Sequence, residues 1–341
     1  MTGLHILPAD SERPTLKTIA AETGLAIATV SRALKDAPDI GEETKRRVRE
    51  AAERLGYRPN RAGVRLRTGK TNVIALTMST EADVMNHTSR LIYSIAEALR
   101  GTSYHLVVMP FFPDQDPMDP IRYIVETGSA DGVLMNQTMP DDPRVRYLAA
   151  HNFPFATHGR TAMGLDHPYF DFDNEAFARI GVRALKARGR KRLLLIPPPR
   201  AQSYAGHMIT GFADEAAQQG LKFEVMDGVT SDSGASLIEA AFARRMAQDP
   251  VIDGILCGST TAAMASVAGA EQVGRVIGVD FDIVAKEAIT FLRRFRREII
   301  VVEENVGRAG NFLARAVMAA IERRAPEQGQ FLDRPDHVEL D

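Results

Sequence analysis

Two short helices joined by a glycine-containing turn are the sequence feature that most restricts the fold of this chain. Apolar spacing predicts a first helix over residues 16–23, with Thr15 as its N-cap, and a second helix over residues 27–35. Gly24 lies between them, where its backbone freedom ends the first helix. With a third helix predicted over residues 41–56, the pattern indicates a helix-turn-helix, whose second helix fits the major groove of DNA.

The distribution of charge favours nucleic-acid binding over an ordinary helical domain. Residues 14–70 contain 13 Lys and Arg against 7 Asp and Glu, whereas the rest of the chain contains 29 against 37. A basic segment on an acidic body is the pattern expected of a phosphate-binding module. The sequence therefore predicts a disordered tail over residues 1–13 and a DNA-binding domain over residues 14–59.

Residues 60–71 are predicted to form a hinge with a conditional helix. Asn60 can cap a helix of about two turns, but Gly63 lowers its stability by roughly 1 kcal/mol relative to Ala. We expect the helix to fold only when it pairs with a second copy on DNA. Its arginines would contact phosphates or groove edges, and these are Arg61, Arg65 and Arg67. A basic disordered linker is the alternative interpretation.

From residue 72 onward, apolar strands alternate with amphipathic helices, which predicts an α/β fold with doubly wound parallel sheets. The segments ADGVL at 130–134 and IDGIL at 252–256 echo each other, so two similar α/β subdomains with a cleft between them are expected over residues 72–341. The predicted strands cover residues 73–77, 105–109, 132–135, 153–157, 193–196, 223–225, 254–256 and 276–279.

Ligands of open α/β sheets bind beyond the carboxyl ends of the strands. Loops at these ends supply carboxylate, amide, hydroxyl and imidazole groups, which suit the hydroxyls of a sugar. The predicted ligand-binding residues are Met85, Asn86, His87, His158, Arg160, Asp173, His207, Ser259 and Asp280.

The sequence contains no pattern that indicates an enzyme. Its histidines and acids do not form a metal-ligand spacing, a nucleophile elbow or a phosphate-cradling loop, so no catalytic residue, metal or cofactor is predicted. Cys257 is the single cysteine, which excludes an internal disulfide and fits a reducing compartment. It lies in an apolar run, which indicates core packing. Residues 1–13 do not resemble a signal peptide, and we expect a cytoplasmic protein that does not engage a membrane. An exported sugar-binding protein and an α/β enzyme are the alternatives.

Residues 16–76 resemble the N-terminus of the LacI/GalR family of bacterial repressors. The motif TVSRAL at 29–34, the motif LGYRPN at 55–60 and the segment RAGVRL at 61–66 carry the resemblance. The resemblance implies that Leu66 enters the minor groove at the centre of the operator, the DNA sequence that the family binds. It also implies further DNA contacts, for which the positions are Thr15, Leu16, Ile27, Ala28, Thr29, Ser31, Arg32, Tyr57, Asn60, Arg61 and Arg65.

Three positions depart from the family pattern at the start of the second helix. Ala26 replaces the usual Ser N-cap, which should cost about 1 kcal/mol. Ile27 and Ala28 are apolar, so they suit thymine methyl groups, and Arg32 is the better candidate for a guanine contact. Ile27 as a core residue remains the alternative to Ile27 as a base reader.

The resemblance extends to the body, which is similar to sugar-binding sensor domains. It implies a homodimeric repressor on a pseudopalindromic operator, with DNA affinity controlled by a small effector. Met208 and His207 stand where the family usually has an Arg clamp, and Ser259 and Thr260 replace an Asn-Asp pair. These substitutions suggest a neutral sugar. The segments RPNRAGVRLRTGKTNVI and NFPFATHGR are also similar to rhizobial regulators of α-glucoside use.

Overall fold

The structure, a computed structural model, describes residues 14–57, 69–80, 84–288, 290–325 and 329–335, with residues 84–86 described by their backbone alone. The chain divides between Thr71 and Asn72 into two compact units. The predicted tail at 1–13 and most of the predicted hinge lie outside the described residues.

Among its described residues, the first unit contains three helices, which are α1 (Leu16–Thr23), α2 (Ile27–Ala33) and α3 (Glu42–Arg54). The Thr15 hydroxyl accepts a hydrogen bond from the backbone N–H of Thr18, and Gly24 ends α1 with a φ of 68°. Ala26 provides no side-chain cap for α2, as the sequence predicted. The helices enclose a small core around Ile19, Val30 and Val48, so the predicted helix-turn-helix is confirmed.

The described residues of the second unit form two parallel sheets, in agreement with the predicted fold class. The six-stranded sheet has the order β11-β5-β4-β3-β1-β2. Its strands are β1 (Val73–Ser79), β2 (His105–Phe111), β3 (Gly132–Met135), β4 (Phe155–His158), β5 (Tyr169–Phe172) and β11 (Gln330–Asp333). The five-stranded sheet has the order β10-β9-β8-β6-β7. Its strands are β6 (Arg192–Ile196), β7 (Lys222–Val225), β8 (Gly254–Cys257), β9 (Asp282–Glu287) and β10 (Ile300–Glu303).

Helices pack on both sheets, and the chain passes from one sheet to the other just before Asn174 and again just before Val306. The helices in the described part of this unit are α4 (Val84–Ala98), α5 (Met118–Thr127), α6 (Pro143–Ala150), α7 (Asn174–Ala187), α8 (Ser203–Gln218), α9 (Ala235–Gln248), α10 (Thr260–Gln272), α11 (Leu292–Phe295) and α12 (Val306–Ile321). The chain leaves the six-stranded sheet after β5, and α7 then packs on β8 and β9. It returns after β10, because α12 packs on β3, β4 and β5.

The internal echo of the sequence corresponds to equivalent structural positions. Asp131 precedes β3 and accepts a hydrogen bond from Asn72 N, just before β1. Asp253 precedes β8 and accepts hydrogen bonds from Lys191 N and Arg192 N at the start of β6. In each sheet, therefore, the echoed aspartate aligns the starts of two neighbouring strands.

The strand predicted over residues 276–279 is wrong. Gly278 has a φ of 81° within a turn, and the next strand is β9, which begins at Asp282. Val276 and Val279 misled the prediction because they are apolar, yet they are 53% and 71% exposed.

The prediction that Cys257 belongs to the core agrees with the structure. Cys257 is fully buried in the core of the five-stranded sheet, and burial raises the pKa of its thiol to about 12. Among the described residues, no helix combines the length and the apolarity needed to cross a bilayer.

Candidate effector cavity and DNA-binding surface

A cavity of about 350 Å³ lies between the two sheets of the second unit. It opens at the carboxyl ends of β3, β4, β5, β8, β9 and β10, as expected for parallel α/β sheets. The polar side chains that line it are His87, Asn136, Gln137, His158, Asn174, Asp171, Tyr204, Ser231, Asp232, Ser259, Thr260, Thr261, Lys286 and Glu304. Phe172 and Phe291 contribute apolar ring surface.

Glu304 is the centre of a charged cluster in this cavity. Its Oε2 lies 2.8 Å from Lys286 Nζ, and its Oε1 lies 3.1 Å from His87 Nε2 and 3.8 Å from His158 Nε2. Burial opposes ionisation of the carboxyl, but Lys286 and His87 outweigh it and hold the pKa of Glu304 well below its usual range. Burial, together with His87, lowers the pKa of His158 to about 3, so this imidazole is neutral at physiological pH.

A second buried carboxylate lies nearby on β5. Asp171 Oδ2 is 3.2 Å from Arg160 Nε. Burial raises the pKa of Asp171 to about 7, and the Arg160 guanidinium only partly opposes that effect. This side chain therefore changes its protonation state near neutral pH.

Gln137 and Asp232 meet across the cleft. Gln137 follows β3 of the six-stranded sheet, whereas Asp232 lies between β7 and α9 in the other half. Asp232 Oδ2 lies 3.5 Å from Gln137 Nε2 and 3.4 Å from the Tyr204 hydroxyl. The buried Arg144 donates a hydrogen bond of 2.9 Å to the carbonyl oxygen of Gln137, which fixes the turn after β3.

The structure brings some of the predicted ligand residues together and separates others. His87, His158 and Ser259 line the cavity, and Arg160 pairs with the lining residue Asp171. Ser259 also caps α10, since its hydroxyl accepts a hydrogen bond from Ala262 N.

Asp173 and His207 do not line the cavity. Asp173 caps α7 by accepting a hydrogen bond of 2.9 Å from Ala176 N. His207 lies within α8, where burial and then Arg160 lower its pKa. Met85 and Asn86 lie in the first turns of α4, and their side chains are outside the described part of the structure.

Asp280, which is also a predicted ligand residue, lies away from the cavity. Its carboxylate accepts a hydrogen bond of 2.7 Å from Val276 N within the turn that precedes β9. That turn lies at the amino end of β9, whereas the cavity lies at the carboxyl end of the strand, beside Lys286. Its prediction followed from placing the strand over residues 276–279.

Several cavity residues were not predicted from the sequence, and these are Asn136, Gln137, Asn174, Asp232, Lys286 and Glu304. Lys286 and Glu304 did carry a usable signal, because each is a charged residue at the carboxyl end of an apolar strand. Asp232 carried none, since it lies in a loop whose position beside the cavity depends on the tertiary fold.

Helix α2 is the helix predicted to enter the major groove, and the residues at its start lie on its exposed face. Ile27 is 44% exposed, and Ala28 is exposed, whereas Val30 and Ala33 on the opposite face are buried. Arg32 is exposed and forms an ion pair with Asp39. Exposure at Ile27 agrees with a base reader and argues against a core residue.

The remaining predicted DNA contacts are partly within the described structure. Thr15 is exposed, and the half-buried residues are Leu16, Thr29, Ser31 and Tyr57. Asn60, Arg61, Arg65 and Leu66 lie outside the described residues. The contacts of all these side chains with DNA stay predictions.

Each of the two units matches a known protein family. Residues 15–60 match the family of bacterial regulatory proteins of the lacI type, and residues 87–293 match periplasmic binding proteins and the sugar-binding domain of the LacI family. The chain is 30% identical to the HTH-type transcriptional regulator AglR of Rhizobium meliloti (strain 1021), over 92% of this chain and 90% of that protein.

Two solved structures show the same fold. The lac repressor dimer bound to operator and the anti-inducer ONPF is 17% identical with a TM-score of 0.81, and it covers 96% of this chain and 98% of its own. The complex of the transcriptional regulator CelR with cellobiose is 22% identical with a TM-score of 0.68, over the same fractions of the two chains.

A helix-turn-helix unit followed by a two-sheet binding unit defines a DNA-binding transcriptional regulator, not an enzyme. The chain belongs to the LacI family of bacterial transcriptional regulators.

Proposed function

We propose that this regulator is a homodimeric repressor that binds a pseudopalindromic operator and responds to a neutral sugar. The sugar occupies the cavity between the two sheets and changes the affinity of the protein for its operator. The protein acts in the cytoplasm on chromosomal DNA. The observation that carries the proposal is the polar cavity in a chain that also bears a helix-turn-helix.

The charges of the cavity favour a neutral ligand. Among the described residues that line the cavity, Lys286 is the one lysine or arginine. Glu304 already neutralises its charge. An anionic ligand would find no available cation there and would meet the carboxylate of Asp232. Hydroxyl groups, in contrast, can pair with the amides of Asn136, Gln137 and Asn174.

The ring surfaces of the cavity suit the apolar faces of a sugar. Tyr204, Phe172 and Phe291 line the cavity beside the polar groups, as in ligand sites that combine aromatic walls with a few polar anchors. The similar CelR structure contains cellobiose, which supports a saccharide as the ligand class.

The exposed face of α2 is proposed to read bases in the major groove. Ile27 and Ala28 would contact thymine methyl groups, and Arg32 would contact guanine after exchanging its ion pair with Asp39. The flanking contacts would be made by Thr15, Leu16, Thr29, Ser31 and Tyr57. The hinge would add Asn60, Arg61 and Arg65 to the backbone contacts and Leu66 in the minor groove.

Two chain crossings offer a physical route for coupling. Residues 173–174 and 304–305 connect the two halves, and both crossings adjoin the cavity residues Asn174 and Glu304. A ligand that contacts these residues can change the closure of the cleft, and thereby the pairing of the two hinges in a dimer.

A nuclease footprint of the full-length protein on the DNA upstream of its own gene tests the proposal. The reactions would contain either no sugar, cellobiose, other neutral mono- and disaccharides, or glucose 6-phosphate as the anionic control. We expect a protected palindrome whose protection changes with a neutral sugar and not with the phosphate. Sugar binding without protection at low salt would instead indicate a sugar-binding protein with no role on this DNA.

A further inference from the structure

His87, His158 and Glu304 place three metal-binding groups against one another in the cavity. His87 lies in α4, His158 ends β4, and Glu304 directly follows β10, so three separate segments of the chain converge. One potential ligand atom from each residue lies within 4.8 Å of the other two. Donors bound to one zinc-sized ion lie about 3 to 3.5 Å apart, so small side-chain rotations would suffice.

Hydrogen bonding within the protein does not account for this cluster. Glu304 Oε1 forms a hydrogen bond with His87 Nε2, but His158 Nε2 lies 3.8 Å from the same oxygen, beyond hydrogen-bond distance. That nitrogen is buried, and it has no hydrogen-bond partner among the described residues. A buried imidazole nitrogen with a lone pair and no donor is costly unless a ligand satisfies it.

The surrounding groups hold the three side chains in place. Lys286 lies 2.8 Å from Glu304 Oε2, which leaves Oε1 directed toward the imidazoles. The His158 ring stacks on Phe170, with 6.1 Å between ring centroids and an angle of 11° between planes. A basic group on the second oxygen of a ligating carboxylate and a packed imidazole are common supports of metal ligands.

We propose that His87, His158 and Glu304 form a binding site for a divalent first-row transition metal ion such as Zn²⁺. Two imidazoles and one carboxylate suit such ions and not Mg²⁺ or Ca²⁺, which prefer oxygen ligands. The open coordination positions face the cavity, where water or a hydroxyl of a bound molecule would complete the shell. The site does not depend on the DNA-binding role of the protein.

Direct titration of the tag-free, full-length protein with Co²⁺ tests this site. Before titration the protein would be treated with EDTA and exchanged into metal-free buffer, and binding would be followed by visible absorption. We expect one Co²⁺ per chain, displaced by Zn²⁺. Glu304→Gln and His158→Gln should each weaken Co²⁺ binding by at least about tenfold. The exposed His105 and His151 provide controls, and His105→Gln and His151→Gln should bind as wild type does.

Two further readouts separate the site from accidental binding and from misfolding. Circular dichroism would check each variant, and added Zn²⁺ should raise the thermal unfolding temperature of wild type but not of Glu304→Gln. Wild type that binds no stoichiometric Co²⁺, or that loses it through His105→Gln or His151→Gln, would overturn the proposal. A sugar-dependent footprint with EDTA-treated protein would leave the proposed function standing even if the metal site fails.

Discussion

Lys286 and Glu304 meet in the cleft with Nζ 2.8 Å from Oε2. Lys286 is the one lysine or arginine among the described residues that line the cavity, and this ion pair neutralises it. Lys286 lies near the end of β9, and Glu304 lies at the crossing that follows β10. The pair therefore links the ligand cavity to a segment that joins the two halves.

Replacing Lys286 alone should destabilise the protein more than replacing both partners. Lys286→Met leaves the Glu304 carboxylate buried without its main countercharge, which should cost about 3 kcal/mol of unfolding free energy at neutral pH. The double variant Lys286→Met with Glu304→Gln should recover most of that loss. Urea unfolding of the wild type, both single variants and the double variant measures the coupling, and equal stability of Lys286→Met and the double variant would contradict it.

Gly211 should be required for the close approach of α7 and α8. A Cβ atom at this position would overlap the carbonyl oxygen of Glu175 and lie 3.0 Å from its Cα. Gly211→Ala should therefore lower the unfolding free energy by about 1 to 3 kcal/mol. Gly206 in the same helix is the matched control, because a Cβ there meets nothing within 4 Å. Gly206→Ala should be neutral or stabilising by up to about 1 kcal/mol, and equal effects of the two substitutions would refute the packing argument.

Asp171 should make stability fall as pH rises toward neutrality. The pKa of this buried side chain is raised to about 7, so between its ordinary value of 3.8 and pH 7 the folded state holds a proton that the unfolded state has released. Under proton linkage, stability then decreases with rising pH across this window. From pH 5 to pH 8 the wild type should lose on the order of 2 to 3 kcal/mol relative to Asp171→Asn. A pH-independent difference between the two proteins in urea unfolding would exclude this titration.

Arg32 should contribute base specificity rather than general affinity for DNA. It is exposed on α2 and pairs with Asp39 at the protein surface. Arg32→Ala should weaken operator binding by about 1 to 3 kcal/mol and relax the base preference at one position of each half-site. Binding assays on operators with single base changes, repeated at several salt concentrations, would check this. An equal loss on every sequence with a shallower salt dependence would identify Arg32 as a phosphate contact.

The sequence was sufficient where local interactions determine the structure. Helix α1 has the predicted bounds, because Thr15 and Gly24 act within one turn of its ends. The alternation of strands and helices likewise predicted parallel sheets. Buried strands can be recognised from their own apolar sequence, without knowledge of the strands beside them.

The site depended on contacts that are remote in sequence. His87 and Glu304 are 217 positions apart, yet their side chains form a hydrogen bond. Asp280 follows an apolar segment as a ligand residue would, but Val276 and Val279 of that segment are exposed in a turn. Lys286, near the end of β9, lines the cavity instead. Periodicity identifies apolar segments, and it does not determine which of them the tertiary fold buries.

The coupling of the cavity to DNA is tested most directly by measuring two affinities on one protein. Operator affinity would be measured by fluorescence anisotropy with and without a sugar that binds the cavity, and sugar affinity would be measured by calorimetry with and without the operator. Linkage requires that the two ratios be equal, and the account predicts a ratio of roughly 5 to 150. A sugar that binds the cavity with full affinity, yet leaves operator affinity unchanged, would contradict the account.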